Sequence, residues 1–123
     1  VVEDNPDMSV IGDRAQLVSA VGNLIDNAVK YSDQGSIVKV EVRRDEGRML
    51  ISVADNGPGI ATEHLGRVFE RFYRVDDARS RGTGGTGLGL AIVRHIALLH
   101  GGDASVTSEV GVGSTFTLSI PAV

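Results

Sequence analysis

Asn23-Leu24-Ile25-Asp26-Asn27-Ala28-Val29-Lys30-Tyr31 closes a helical pattern that begins near Asp13. At helical spacing, Leu17, Val21, Leu24, Ile25 and Ala28 share one face. Asn23, Asn27 and Lys30, four and three residues apart, share a neighbouring one. A helix that buries the first stripe therefore presents two amides and an ammonium on the second. Amide oxygens are hard ligands that suit Mg2+. A lysine suits phosphate as a point charge. The plainer reading is that the two asparagines are solvated or bonded to each other. The helix alone divides these readings about evenly.

The 123 residues make one domain, long enough for a core. No apolar run reaches the length of a membrane span, and no leader-like segment opens the sequence. Without cysteine, disulfides and thiolate chemistry are excluded, which fits a reducing compartment. The net charge of −4 argues against nucleic acid as a partner. It leaves room for a phosphate ligand, because Arg67, Arg71, Arg74, Arg79 and Arg81 crowd one segment.

Either side of the first helix the chain alternates between strands and turns. Met8 to Ile11 reads as a short strand, and Asp13 as the N-cap of the helix. Ile37, Val38, Val40 and Val42 form one strand and Met49, Ile51 and Val53 another, joined at Asp45-Glu46-Gly47. Asp55-Asn56-Gly57-Pro58-Gly59 follows directly. By composition it is a turn. An ionised carboxylate there would accept from the N6 amine of adenine and be mismatched to the O6 of guanine. Gly57 and Gly59 would let a flat base approach. Thr62 to Val68 reads as a short helix, and Phe69 and Phe72 as a small apolar plug. The last hairpin pairs Ala104-Ser105-Val106 with Phe116 to Ile120. Gly111 to Thr115 forms its loop.

Asp76 to Gly87 is almost devoid of apolar residues and is expected to be mobile. It runs into an apolar helix that starts at Leu88 and ends at Gly101-Gly102. A glycine-rich loop opening a helix presents unpaired N–H groups and partial positive charge, which suits phosphate. Gly82 to Gly87 matches G-x-G-x-x-G, but no strand precedes it, so the dinucleotide reading fails. The P-loop and protein-kinase motifs are absent. His64 is expected to be exposed on the short helix, and His95 and His100 to ride the last helix among apolar residues; none has the spacing for a metal or a triad.

Five boxes occur in order: Asn23 to Tyr31, Asp55 to Ile60, Phe69 to Arg74, Gly85 to Leu90 and Gly111 to Phe116. Together they resemble the catalytic ATP-binding domain of bacterial sensor histidine kinases, over almost the whole chain. The resemblance implies the Bergerat (GHKL) fold, an α/β two-layer sandwich with helices on one face of a mixed sheet and a flexible ATP lid. It implies ATP and Mg2+ as cofactors. Asn27, helped by Asn23, resembles the Mg2+ ligand, Lys30 a phosphate contact and Tyr31 a residue packed at the adenine. Asp55 resembles the N6 acceptor, with Gly57, Gly59 and Ile60 in the first glycine box. Arg74 resembles the basic residue at the γ-phosphate, which with Asn27 and Lys30 makes the catalytic set. Gly85, Thr86, Gly87, Leu88 and Gly89 resemble the second glycine box, and Thr115 completes the nucleotide-binding residues.

Fold relatives that hydrolyse ATP, such as the topoisomerase and MutL-type ATPases, place a glutamate where this chain has Asn23. An amide cannot take a proton at neutral pH, so attack by water should be slow. In the sensor kinases the nucleophile is a histidine on a separate dimerisation domain. No His-Glu-x-x-Arg-Thr-Pro motif is present here. The expectation is a domain of a longer, membrane-associated kinase that faces the cytoplasm without touching the membrane. It would need its phosphotransfer domain for activity and serve a response regulator indirectly. Two alternatives stay open: a serine kinase of the anti-sigma-factor type, and a nucleotide-binding module without catalysis.

Overall fold

The computed structural model describes residues 10–31, 37–71, 73 and 89–122, with Tyr31 described by its backbone alone. The elements are α1 (Arg14–Tyr31), β1 (Val38–Asp45), β2 (Arg48–Asp55), α2 (Thr62–Leu65), α3 (Gly89–Leu99), β3 (Asp103–Glu109) and β4 (Gly113–Pro121). The strands form one sheet in the order β1-β2-β4-β3.

Helix α1 begins where the sequence marks it, with the Gln16 N–H donating to Asp13 Oδ1 at 3.0 Å. Its most buried residues are Ala20, Leu24 and Ala28. Leu17, Val21 and Ile25 flank them, partly buried. Ala20 was missed from the apolar stripe. As a side chain without bulk it lets the helix lie close to its neighbours. Val93, Ile96 and Ala97 of α3 complete the helical half of the core.

Every second residue of β2 and β4 turns toward these helices. Met49, Ile51 and Val53 pair with Ile120, Leu118 and Phe116. Strand alternation thus builds the other half of the core. The opposite face is polar and is tied across strands by Ser52 Oγ and Thr117 Oγ1, 3.2 Å apart. Glu46 and Gly47 both have positive φ, 51° and 77°, the signature of the two-residue turn that matches strand twist in a hairpin. Val40 and Val42 of the expected strand remain 47% exposed. They lie on the edge strand, beyond the helices.

The expected mixed sheet is corrected here: every neighbouring pair among the described strands is antiparallel. The chain leaves β2, passes through α2 and α3, and returns in β3 running the same way as β2. A helical crossover gives that parallel sense. Strand β4 then inserts between the two, antiparallel to each, so β2 and β3 never touch as neighbours.

Helix α2 is also shorter than expected. Ala61 at its start offers no side-chain cap, and Gly66 ends it. Beyond it, Arg67, Glu70 and Tyr73 each donate a backbone N–H three residues back. These turns bring Val68 into the core and set Phe69 edge-on to Phe116, with ring centroids 6.0 Å apart. The plug is thus confirmed for Phe69, whereas Phe72 lies outside the described residues. So do Met8 and Ser9; Val10 makes a single bridge to Ala122.

His100 holds two helices together. Its Nε2 accepts from the Asp13 N–H at 3.0 Å, and its Nδ1–H donates to the Ile96 carbonyl at 2.8 Å. A neutral ring serves both bonds and ties the start of α1 to the end of α3. A Cβ at Gly12 would fall 2.3 Å from His100 Cδ2, so only glycine admits the ring. Replacing His100 by Ala is expected to cost about 1–2 kcal/mol, since both bonds go but solvent can reach the freed groups. A urea unfolding midpoint equal to that of the unaltered chain would show the ring to be a bystander.

Candidate functional site

Two separate stretches of the sequence meet at the N-terminus of α3. Helices α1 and α3 run antiparallel, as the Asp13–His100 bond at one end requires. At the other end, a side chain added to Gly89 would begin 3.5 Å from Asn23 Oδ1. The amide stripe therefore stands beside the first turn of the helix that the glycine-rich loop leads into. The first turn of a helix offers N–H groups without intrahelical partners and the positive end of the dipole.

Asn23 and Asn27 are half-buried and Lys30 is exposed. Among the described residues, none of the three side chains bonds to another group. The alternative in which the two asparagines satisfy each other is thereby set aside. Their amide oxygens remain available to a hard cation, and the Lys30 ammonium to an anion, so the donor set fits Mg2+ and a phosphate chain.

At the mouth of β2, Asp55 shares the helix-facing side of the sheet with Val53. Its Oδ1 accepts from the Gly57 N–H at 2.9 Å. Residues 56–60 are then fastened from several sides. Asn56 Oδ1 accepts from the Ile37 N–H at 3.2 Å. The Pro58 carbonyl accepts from the Gly111 N–H at 2.9 Å. The Ile60 N–H donates to Ser108 Oγ at 2.6 Å. Gly59 has φ 76°, and a Cβ there would sit 2.3 Å from the Glu109 carbonyl oxygen. Gly113 has φ 147°, and its Cβ would sit 2.0 Å from the Asp55 carbonyl oxygen. These contacts give Gly59 a reason of its own: it lets two segments of chain touch. Asp55 is consequently presented at the end of β2, ahead of a loop with little freedom.

Thr115 does not join this group on the helix-facing side. It pairs with Ala54 and points to the opposite face, whereas Ser114 pairs with Asp55 and is 6% exposed. Ser108 pairs with Ser114 in turn. Asp55, Ser114 and Ser108 thus form one row across β2, β4 and β3. Counting by two from the core residue Phe116 would have found Ser114 in the sequence. An open cavity of about 350 Å³ adjoins the row, lined by Asp55, Ser108, Ser114 and Thr115 among others. The α1 amides do not line it. Arg74, Gly85, Thr86, Gly87 and Leu88 lie outside the described residues, as does the Tyr31 side chain.

His64, expected to be exposed, is instead half-buried in a cluster with Tyr73 and Arg67. Its Nδ1 bonds to the Tyr73 hydroxyl, and Arg67 stacks 4.7 Å above the Tyr73 ring. Arg67 also pairs with Glu70 at 2.8 Å, which holds the Glu70 carboxyl below its usual range. No group of histidines and carboxylates suited to a metal occurs among the described residues. None of their helices is long and apolar enough to cross a membrane.

Known proteins share this fold. The family described as histidine kinase-, DNA gyrase B-, and HSP90-like ATPase matches residues 12–123. The sensor-like histidine kinase SenX3 of Mycolicibacterium smegmatis is 55% identical over 112 residues, covering 91% of this chain and 29% of that protein. The chain thus spans under a third of the length of that relative. Among solved structures, the mycobacterial sensor histidine kinase MprB superposes with a TM-score of 0.82 at 39% identity, over 92% of this chain and 76% of that one. Full-length ShkA in complex with AMPPNP superposes with a TM-score of 0.80 at 34% identity, over 97% of this chain and 24% of that one. With a family match over nearly its whole length, and a sensor kinase structure that it largely covers, the chain belongs to the histidine kinase-, DNA gyrase B- and HSP90-like ATPases, as a catalytic domain of the sensor histidine kinase type.

Proposed function

We propose that the chain binds Mg-ATP and donates the γ-phosphoryl group to a histidine on a separate dimerisation and phosphotransfer domain. The observation that carries this is the meeting of the Asn23–Asn27–Lys30 stripe with the N-terminus of α3, where Gly89 lies against Asn23. Asn27 and Asn23 would hold Mg2+, which supplies charge neutralisation to the triphosphate when bound. Lys30 offers its ammonium to a phosphate, and Arg74 is assigned to the γ-phosphate. Asp55 reads the adenine amine. The analogue bound in ShkA, a similar protein, supports a nucleotide here.

Catalysis in this reading is positioning and charge stabilisation of a loose transition state. The bond between the γ-phosphorus and its bridging oxygen breaks, and ADP leaves with that oxygen. An imidazole nitrogen of the incoming histidine bonds to the phosphorus, and the ring gives up a proton. Asn23 cannot accept a proton from water, so water competes poorly. The phosphohistidine would then supply a response regulator. The parent kinase would sit at the membrane with this domain on the cytoplasmic side.

Titration with ATP and GTP, with and without Mg2+, tests the reading while phosphate release is followed. The expected result is Mg2+-dependent ATP binding, weak GTP binding and little free phosphate. Steady hydrolysis at the rate of a dedicated ATPase would overturn the role given to Asn23. Adding a helical domain that bears the histidine should then move label from ATP to protein.

A further inference from the structure

Ser108 stands at the end of the Asp55–Ser114–Ser108 row and has three polar neighbours. The Ile60 N–H donates to its Oγ at 2.6 Å. The Gly113 carbonyl lies 2.9 Å away, and a carbonyl only accepts, so the single Ser108 proton goes there. Ser114 Oγ lies 2.8 Å from Ser108 Oγ. With the Ser108 proton committed, that contact exists only if Ser114 donates. The Ser114 proton therefore points away from Asp55. Its oxygen keeps lone pairs alone for the side it shares with the carboxylate.

We infer that Ser108 is a positioning residue for base selection: it orients the Ser114 hydroxyl so that Ser114 and Asp55 meet the base as two adjacent acceptors. The chemistry that fits such a pair is a donor-bearing edge, such as the 6-amino group of adenine or a water held by it. A base with an acceptor at position 6 meets lone pairs on both groups. Asp55 alone would discriminate through one carboxylate. The relay from the Gly113 carbonyl prevents Ser114 from turning its proton round to suit the wrong base. The same Ser108 oxygen holds Ile60, so the loop beneath Asp55 and the direction of the Ser114 proton are fixed by one hydroxyl.

This inference rests on the adenine reading proposed above, and the test separates the two. Dissociation constants for ATP and inosine triphosphate, which carries an oxygen at position 6, are measured on the 123-residue chain. A wild-type chain without preference for ATP overturns the adenine reading itself, and the inference falls with it. Given a preference, Ser108→Ala is expected to narrow the ratio about three- to tenfold, the worth of one hydrogen bond. Ser108→Thr, which keeps the hydroxyl, should restore it. In a Ser114→Ala background the Ser108→Ala change should narrow the ratio no further, because its route is already gone. A ratio unmoved by Ser108→Ala, or an equal further narrowing without Ser114, overturns the inference. If the alanine variant loses its cooperative melting transition, the nearly isosteric Ser108→Cys is read the same way.

Discussion

Phosphoryl transfer to a histidine-bearing helical domain is expected to fall about a hundredfold or more in Asn27→Ala, because placing the metal stabilises the transition-state charge by several kcal/mol. The fold should survive the change. Asn27 lies half-buried on α1 without a protein partner among the described residues, and alanine is the better helix former by roughly 0.7 kcal/mol. The variant should melt at or slightly above the wild-type temperature while its ATP binding loses dependence on Mg2+. Label transfer at the wild-type rate would remove Asn27 from the catalytic set. A lowered melting temperature would instead assign it to the core.

Asp55→Asn should weaken ATP binding about ten- to a hundredfold. One charge-assisted hydrogen bond contributes roughly 1.5–3 kcal/mol, and the new amide can aim a donor at the adenine amine. The loop itself should hold, since an amide oxygen can accept from the Gly57 N–H in place of Oδ1. Calorimetric titration measures the loss, and GTP gives the sign of the specificity change. Asn offers both a donor and an acceptor, so the gap between ATP and GTP should close. Unchanged ATP affinity would falsify the assignment of Asp55 to the base.

Local chemistry made much of this fold readable. Asp13 caps α1 because a carboxylate before an apolar stripe satisfies an unpaired N–H. Glu46-Gly47 turns because glycine accepts the left-handed backbone that a tight hairpin needs. What could not be read depends on partners distant in the chain. Val40 and Val42 alternate as well as Ile51 and Val53, yet the helices cover only the latter pair. The period of a strand does not say whether it lies at an edge. The order of strands was hidden for the same reason, since nothing local to β4 announces insertion between β2 and β3.

The site divides in the same way. Asn23, Asn27, Lys30 and Asp55 stood out as candidates because their chemistry is unusual for their positions, amides on a helical stripe and a carboxylate ending an apolar strand. In this segment the sequence reading names Thr115, whereas the structure sets Ser114 beside Asp55. Both are hydroxyl residues in the same loop-to-strand segment, and only the register against β2 separates them. The part played by Gly59 was likewise invisible, because the Glu109 carbonyl it admits comes from a distant strand. Ser108 has no local peculiarity at all. Its significance arises from three groups brought to one oxygen by two other segments, the Ile60 loop and the start of β4.

The place of β4 has a consequence for how the domain comes into being. Synthesis delivers β1 and β2 early, then the helical crossover and β3, but the strand that fills the gap arrives last of those described. Until residues 113–121 emerge, Val53 lacks Phe116, Asp55 lacks Ser114, and two strand edges lie open toward each other. A nascent chain can therefore carry every glycine and asparagine proposed for the nucleotide site while the sheet that positions Asp55 is still incomplete. Closure of this sheet waits on the last of its described strands.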